Sequence, residues 1–286
     1  MQTFFQERKG PLFILAAALC WSFGGLLIRL VPWDAMSIVG MRALLAATVF
    51  VVWRRSFKIT FTRANVLTAI CLALTTNLFV FANQLTTAAA AVLLQFTAPV
   101  WVILIELIFY KKKPRASSMV AVIVTLGGMT LFFADTLEAG NLLGNILAII
   151  SGMSFAGVFV CTNSAKVNTE QSVLLGFLIN AVIGMPFVIF GATADPIAWG
   201  AIILLGVVQV GVAYIFFSKG IKLTSPLLAS LITATEPVLN PIWVALAFGE
   251  IPGPFALMGG VIIFTSVLTY NIWVETKGRQ SEAKNS

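Results

Sequence analysis

Apolar runs of about 20 residues alternate along this chain with polar connections that are mostly short, some only three or four residues long. A helix needs about 20 apolar residues to cross the hydrocarbon core of a bilayer. On that ruler the pattern predicts ten spans, over 11–31, 35–53, 65–84, 88–110, 117–134, 143–163, 172–191, 198–218, 226–248 and 255–274. The expected fold is an all-α polytopic membrane protein, with no extramembrane domain to hold a separate activity. The run from Pro11 is too long for a signal-peptide core and no small-residue cleavage site follows it, so it is expected to remain as a span.

Two of the runs are interrupted. Ser230–Trp243 reads SLITATEPVLNPIW, with a carboxylate, an amide and two prolines in an otherwise apolar stretch. Pro237 cannot donate to the carbonyl of Thr233, and Pro99 in the fourth run cannot donate to that of Gln95. Freed carbonyls at membrane depth are tolerated only where protein or a wet cavity satisfies them. An intramembrane carboxylate such as Glu236 is a functional-site candidate by default. The alternative is a proline kink whose glutamate pairs with a neighbouring helix.

The chain also matches itself. LAAALCWSFGG (15–25) aligns with LAIISGMSFAG (147–157), and LTTAAAAVLLQFTAPV (85–100) with LTSPLLASLITATEPV (223–238). The organisation expected is two five-helix repeats, 1–140 and 141–286, the second with a short tail. An odd number of spans per repeat inverts the second copy. Inverted repeats with broken helices in matching positions point to a secondary transporter with a mid-membrane site. Duplicated halves also build channels and lipid-handling scaffolds, so the repeat alone leaves those open.

Composition agrees with the pattern: 59% hydrophobic, 10% charged and a mean hydropathy of +0.98, against roughly 25% charged residues in soluble domains. Of the 18 basic residues, all but Arg29 and Arg42 fall at the N-terminus, the C-terminal tail or every second connection, whereas Asp34, Asp135, Glu138, Asp195 and Glu250 mark the other side. Lysine and arginine concentrate on the cytoplasmic side, which places both termini there. The net charge of +7 therefore reports topology, and no nucleic-acid partner is expected. The chain has no histidine. That removes most zinc sites, the usual haem ligand and Ser–His or Cys–His nucleophiles. No enzyme activity, cofactor or metal is expected. The Gly-Gly pairs at 24–25, 127–128 and 259–260 lie inside spans, where glycine lets helices approach closely. Cys20, Cys71 and Cys161 also lie inside apolar runs and are expected to be small buried side chains rather than a disulfide framework.

Candidate site residues follow from depth and spacing. Thr233, Glu236, Asn240 and Trp243 share one helix face, as do Gln95, Pro99, Val102 and Glu106. Glu106, near the basic loop, is expected to pair with its lysines. Arg42 lies two turns inside its span and needs a partner. Trp21, Trp101 and Trp243 are too deep for an interfacial belt and suit stacking on a flat solute, or plain packing. Asn77, Gln209 and Tyr214 either line the same path or tie helices together.

AAALCWSFGGLLIRL in the first span, MRALLAA around Arg42, the Thr-Thr-Ala-Ala turn leading to Pro99, and Ala-Thr-Glu-Pro-Val at 234–238 followed by Gly249-Glu250 recur in order along nearly the whole chain. In these places it resembles the drug/metabolite transporter superfamily of the EamA-domain type. The resemblance implies a bacterial inner-membrane exporter of amino acids, including aromatic ones, other small metabolites or toxic compounds, working by alternating access around a central cavity, and a monomer is expected. The depth and spacing above give the expected substrate-binding set, Trp21, Asn77, Gln95, Trp101, Tyr214, Glu236, Asn240 and Trp243, with Arg42 as an optional charge partner and Pro99 and Pro237 as helix breaks. The first half departs from the pattern, because Ala98 stands where the second half has Glu236.

Overall fold

The computed structural model describes residues 2–86, 88–134, 141–239, 243, 246 and 253–285. Asn240, Pro241, Asp135, Glu138, Thr87 and Gly249-Glu250 lie outside the described residues, as do the side chains of Arg8, Arg29, Lys277, Arg279 and Lys284. The helices are α1 (Gln2–Ser22), α2 (Gly24–Arg29), α3 (Ala35–Arg54), α4 (Arg63–Leu85), α5 (Ala88–Gln95), α6 (Ala98–Tyr110) and α7 (Ala116–Phe132). They continue with α8 (Leu142–Asn163), α9 (Thr169–Gly191), α10 (Pro196–Leu204), α11 (Ala213–Gly220), α12 (Pro226–Thr233) and α13 (Pro254–Asn285). A π-helical segment, Leu205–Val212, joins α10 to α11, and a 3-10 turn, Ile221–Leu223, leads to α12. Among the described residues there is no strand.

Eight helical stretches are long and apolar enough to cross a membrane, and Ala116–Phe132 and Pro226–Leu239 are shorter apolar helices. The ten predicted runs thus correspond to eight long helices and two short ones. Most of the ninth run beyond Leu239 is outside the described residues.

Polar residues set the helix starts. Asp34, Thr62, Asn141, Asn168, Asp195 and Ser225 each accept a hydrogen bond from a backbone N–H in the first turn of the helix that follows. Such caps satisfy donors that a helix cannot satisfy itself. Asp34 also takes the Ser37 hydroxyl, so its carboxylate is committed to the start of α3. Arg55 and Lys111 end α3 and α6 in the left-handed conformation.

Helices pair in a repeating pattern. Numbering the apolar runs one to ten, run two (α3) packs on seven (α9), and five (α7) on ten (α13). Run three (α4) lies against six (α8) as run eight (π segment and α11) lies against one (α1). Run four (α5, α6) lies against six as run nine (α12) lies against one. Two crossings depend on glycine. A β-carbon on Gly40 would stand 2.6 Å from the Met185 nitrogen, and one on Gly259 would stand 2.5 Å from the Gly128 oxygen. Helix backbones that close exclude any side chain, which accounts for Gly40 and Gly184 at one crossing and Gly128 and Gly259 at the other. The core between these pairs is filled by large side chains, among them Phe50, Leu72, Met129, Phe159, Phe217 and Leu231.

Candidate functional site

The fourth and ninth runs break in the same way. α5 ends at Gln95, a two-residue turn follows, and α6 restarts with Pro99 in its first turn. α12 ends at Thr233, Ala234 and Thr235 form the turn, and the helix resumes at Glu236 with Pro237 next. Proline suits a first turn because it has no N–H to lose there. The turn threonines act alike in the two breaks. The Thr97 hydroxyl donates to the Leu94 carbonyl at 2.6 Å, and the Thr235 hydroxyl to the Ile232 carbonyl at 2.7 Å. At one repeat offset Leu94 matches Ile232, Thr97 matches Thr235 and Pro99 matches Pro237, whereas Glu236 takes the place of Ala98.

Glu236 therefore opens a helix segment in the middle of the bundle, and Arg42 and Tyr214 lie within electrostatic reach of it. Arg42 precedes the end of α3 at Arg54 by roughly three helical turns, and Glu236 follows the start of α12 at Pro226 by roughly the same. Those two helix ends are on one face, because Lys219 just before α12 sits over the Trp53 ring at 5.5 Å. The two residues thus lie at one level, about three helical turns in from that face. Both residues are half-buried. Among the described residues neither makes an ion pair or a hydrogen bond, and the Tyr214 hydroxyl makes none either. Even lenient insertion scales assign about 2.5–3.5 kcal/mol to an arginine or an acidic residue at the bilayer centre. Two such charges within electrostatic reach of each other and without a salt bridge would both be satisfied by a group carrying the opposite pair.

Amide and hydroxyl groups fasten the surrounding helices. The Gln95 amide donates to the Ser151 hydroxyl at 2.8 Å, and that hydroxyl donates to the Thr75 carbonyl at 2.8 Å, joining runs four, six and three. The Gln209 amide donates to the Trp21 carbonyl at 3.1 Å, and the Trp243 indole to the Ser22 hydroxyl at 2.7 Å, joining runs eight, nine and one. The second junction forms where the first run itself breaks, at Phe23 between α1 and α2. Phe23 stacks on Trp243 with ring centroids 4.6 Å apart. The Gln209 oxygen is buried without a partner.

The predicted residues thus divide. Arg42, Tyr214 and Glu236 come within electrostatic reach of one another. Trp21 is buried in an aromatic cluster with Phe155, Tyr214 and Phe217, so it forms wall behind Tyr214. Gln95 is buried and spends its amide on Ser151. Trp101 and Trp243 keep exposed ring surface, and Trp101 is oriented by its indole bond to Thr97 at 3.2 Å. Asn77 donates to the Asn180 side chain at 2.9 Å, and its own oxygen is buried without a partner. Glu106 pairs with Lys112 at 3.1 Å. Pattern reading missed Asn180, Ser151, the break at Phe23 and the π segment. A lone amide in the apolar run LGFLINAVIGM is the available signal for Asn180. The π segment has none, because its sequence LGVVQVGV reads as ordinary helix.

A family model described as the EamA-like transporter family matches residues 8–134 and again 142–272. A protein of Archaeoglobus fulgidus described as an uncharacterized transporter is 30% identical over 201 residues, covering 68% of this chain and 71% of that one. The uncharacterized transporter YwfM of Bacillus subtilis is 24% identical over 277 residues, covering 90% and 92%. A solved crystal structure at 18% identity superposes with a TM-score of 0.75 over 90% of this chain and 94% of its own, which shows a shared fold.

Proposed function

The chain belongs to the EamA-like transporter family of membrane proteins, and from that premise we propose that it exports small zwitterionic metabolites, foremost amino acids including aromatic ones. One observation carries the reading: Arg42 and Glu236 lie within electrostatic reach of each other, half-buried, with no salt bridge or hydrogen bond among the described residues. The guanidinium fork suits a carboxylate, which it takes bidentately, and Glu236 suits an ammonium. An amino acid carries both groups on one carbon and neutralises both charges at once. Its side chain then lies against the accessible rings of Trp101 or the Phe23–Trp243 stack, with the Trp21 cluster as rigid wall.

In this proposal the two inverted five-helix repeats, 1–140 and 141–286, rock about the site as ten spans with both termini cytoplasmic. The matched breaks at Pro99 and Pro237 support that division, because an interrupted helix can tilt its two segments separately. Asn77, Gln95 and Asn240 belong to the proposed path as second-rank contacts. The protein acts as a monomer in a bacterial inner membrane, with lipid and the solute as its partners. Glu236 is the candidate proton carrier for coupling, since a mid-membrane carboxylate is stable when it has either a cation or a proton.

Counterflow and pH-gradient-driven uptake in proteoliposomes test the role, comparing wild type with Glu236→Gln. The proposal expects saturable, trans-stimulated exchange in wild type and a loss of pH-gradient-driven uptake in the variant. Unchanged behaviour in both assays rejects a role for the glutamate, and flux without trans-stimulation indicates a channel.

A further inference from the structure

Cys71 on α4 and Cys161 on α8 face one another where these two helices pack. The Cys71 sulfur lies 3.0 Å from the point that a β-carbon on Gly157 would occupy, so it sits directly against α8. Cys161 follows Gly157 by one turn on the same face. Its thiol is hydrogen-bonded to the side chain of Thr68, which precedes Cys71 by one turn on α4. The two thiols are close enough to interact electrostatically. Both are free and only partly buried. The transport site described above uses neither.

We propose that this pair is a binding site for one soft, linearly coordinating d10 cation, such as Hg(II), held as a bis-thiolate bridge between α4 and α8. Thiolate is the ligand that selects such ions over the harder ones. Two sulfurs one helical turn apart across a seam suit a linear two-ligand ion, and the missing side chain at Gly157 leaves Cys71 room to turn. Binding breaks two S–H bonds, forms two sulfur–metal bonds and displaces two ligands of the ion, which for mercuric chloride releases two protons and two chlorides, with no change of oxidation state. Among the described residues no group of three or more His, Cys, Asp or Glu could hold a metal, so a harder ion has no competing cage. α4 and α8 come from opposite halves of the chain, so the bridging ion ties those halves together.

Per-cysteine alkylation of the reduced, purified protein tests this. The protein is incubated with mercuric chloride, pulsed with a maleimide and read by mass spectrometry. At one equivalent of mercuric chloride, which a pair of thiols takes before a single one, alkylation of Cys71 and Cys161 is expected to slow together, while Cys20 on α1 keeps its rate. In Cys161→Ser the protection of Cys71 should vanish. Equal protection of all three cysteines, or protection of Cys71 that survives Cys161→Ser, overturns the proposal. The wild-type footprint decides by itself if the variant does not fold.

Discussion

Gly40→Ala probes whether the α3–α9 crossing is as tight as the structure has it. The new β-carbon would stand 2.6 Å from the Met185 nitrogen and 2.7 Å from the Gly184 oxygen, both backbone atoms that cannot rotate away. Ordinary contact lies near about 3.6 Å, so the helices must separate by about 1 Å, a gap that forfeits a quarter to a half of each lost dispersion contact. Overpacking of this kind costs about 1–3 kcal/mol. Gly127→Ala is the matched control, because nothing lies within 4 Å of its β-carbon. There alanine gains up to about 1 kcal/mol of helix propensity over glycine. Melting followed by fluorescence-detected gel filtration in one detergent should show Gly40→Ala several degrees below wild type and Gly127→Ala level with it or above. Equal melting temperatures for both variants would refute the close crossing.

The Trp243–Ser22 bond predicts that Trp243→Phe and Ser22→Ala each lower stability by about 0.5–1.5 kcal/mol, and that the double variant costs little more than either, as a double-mutant cycle on thermal unfolding will report. Asn180→Leu should destabilise more than Asn77→Leu combined with Asn180→Leu, because the single change leaves the Asn77 amide buried without its acceptor; melting temperatures of the two variants check the order.

The architecture was legible in the sequence because its causes are local and repeated. Runs of lipid-compatible length mark helices, Asp, Asn, Thr and Ser mark their starts, and Pro99 and Pro237 mark the breaks by chemistry that proline cannot avoid. The candidate site was legible only in its charges: Arg42 and Glu236 stand out as charged residues deep within apolar runs. Their meeting with Tyr214 depends on how α3, α11 and the ninth run lean together, and no local pattern encodes that. Trp21 shows the converse. Its depth suggests a stacking surface, yet the rings of Phe155, Tyr214 and Phe217 enclose it, and a sequence cannot tell a buried ring from an accessible one. The break at Phe23 sits beside the Gly24–Gly25 pair but depends on Gln209 and Trp243, which lie in the other half of the chain.

Competition in counterflow tests whether Arg42 and Glu236 hold a zwitterion between them, using phenylalanine, its carboxamide and its N-acetyl derivative against wild type, Arg42→Met and Glu236→Gln. Hydrogen bonds to charged groups contribute about 1.5–3 kcal/mol, so each blocked analogue should compete about ten- to a hundredfold more weakly than phenylalanine in wild type. The carboxamide penalty should disappear in Arg42→Met and the acetyl penalty in Glu236→Gln. Blocked analogues that compete as well as phenylalanine, or penalties that survive the matching substitution, would contradict a zwitterion held between Arg42 and Glu236.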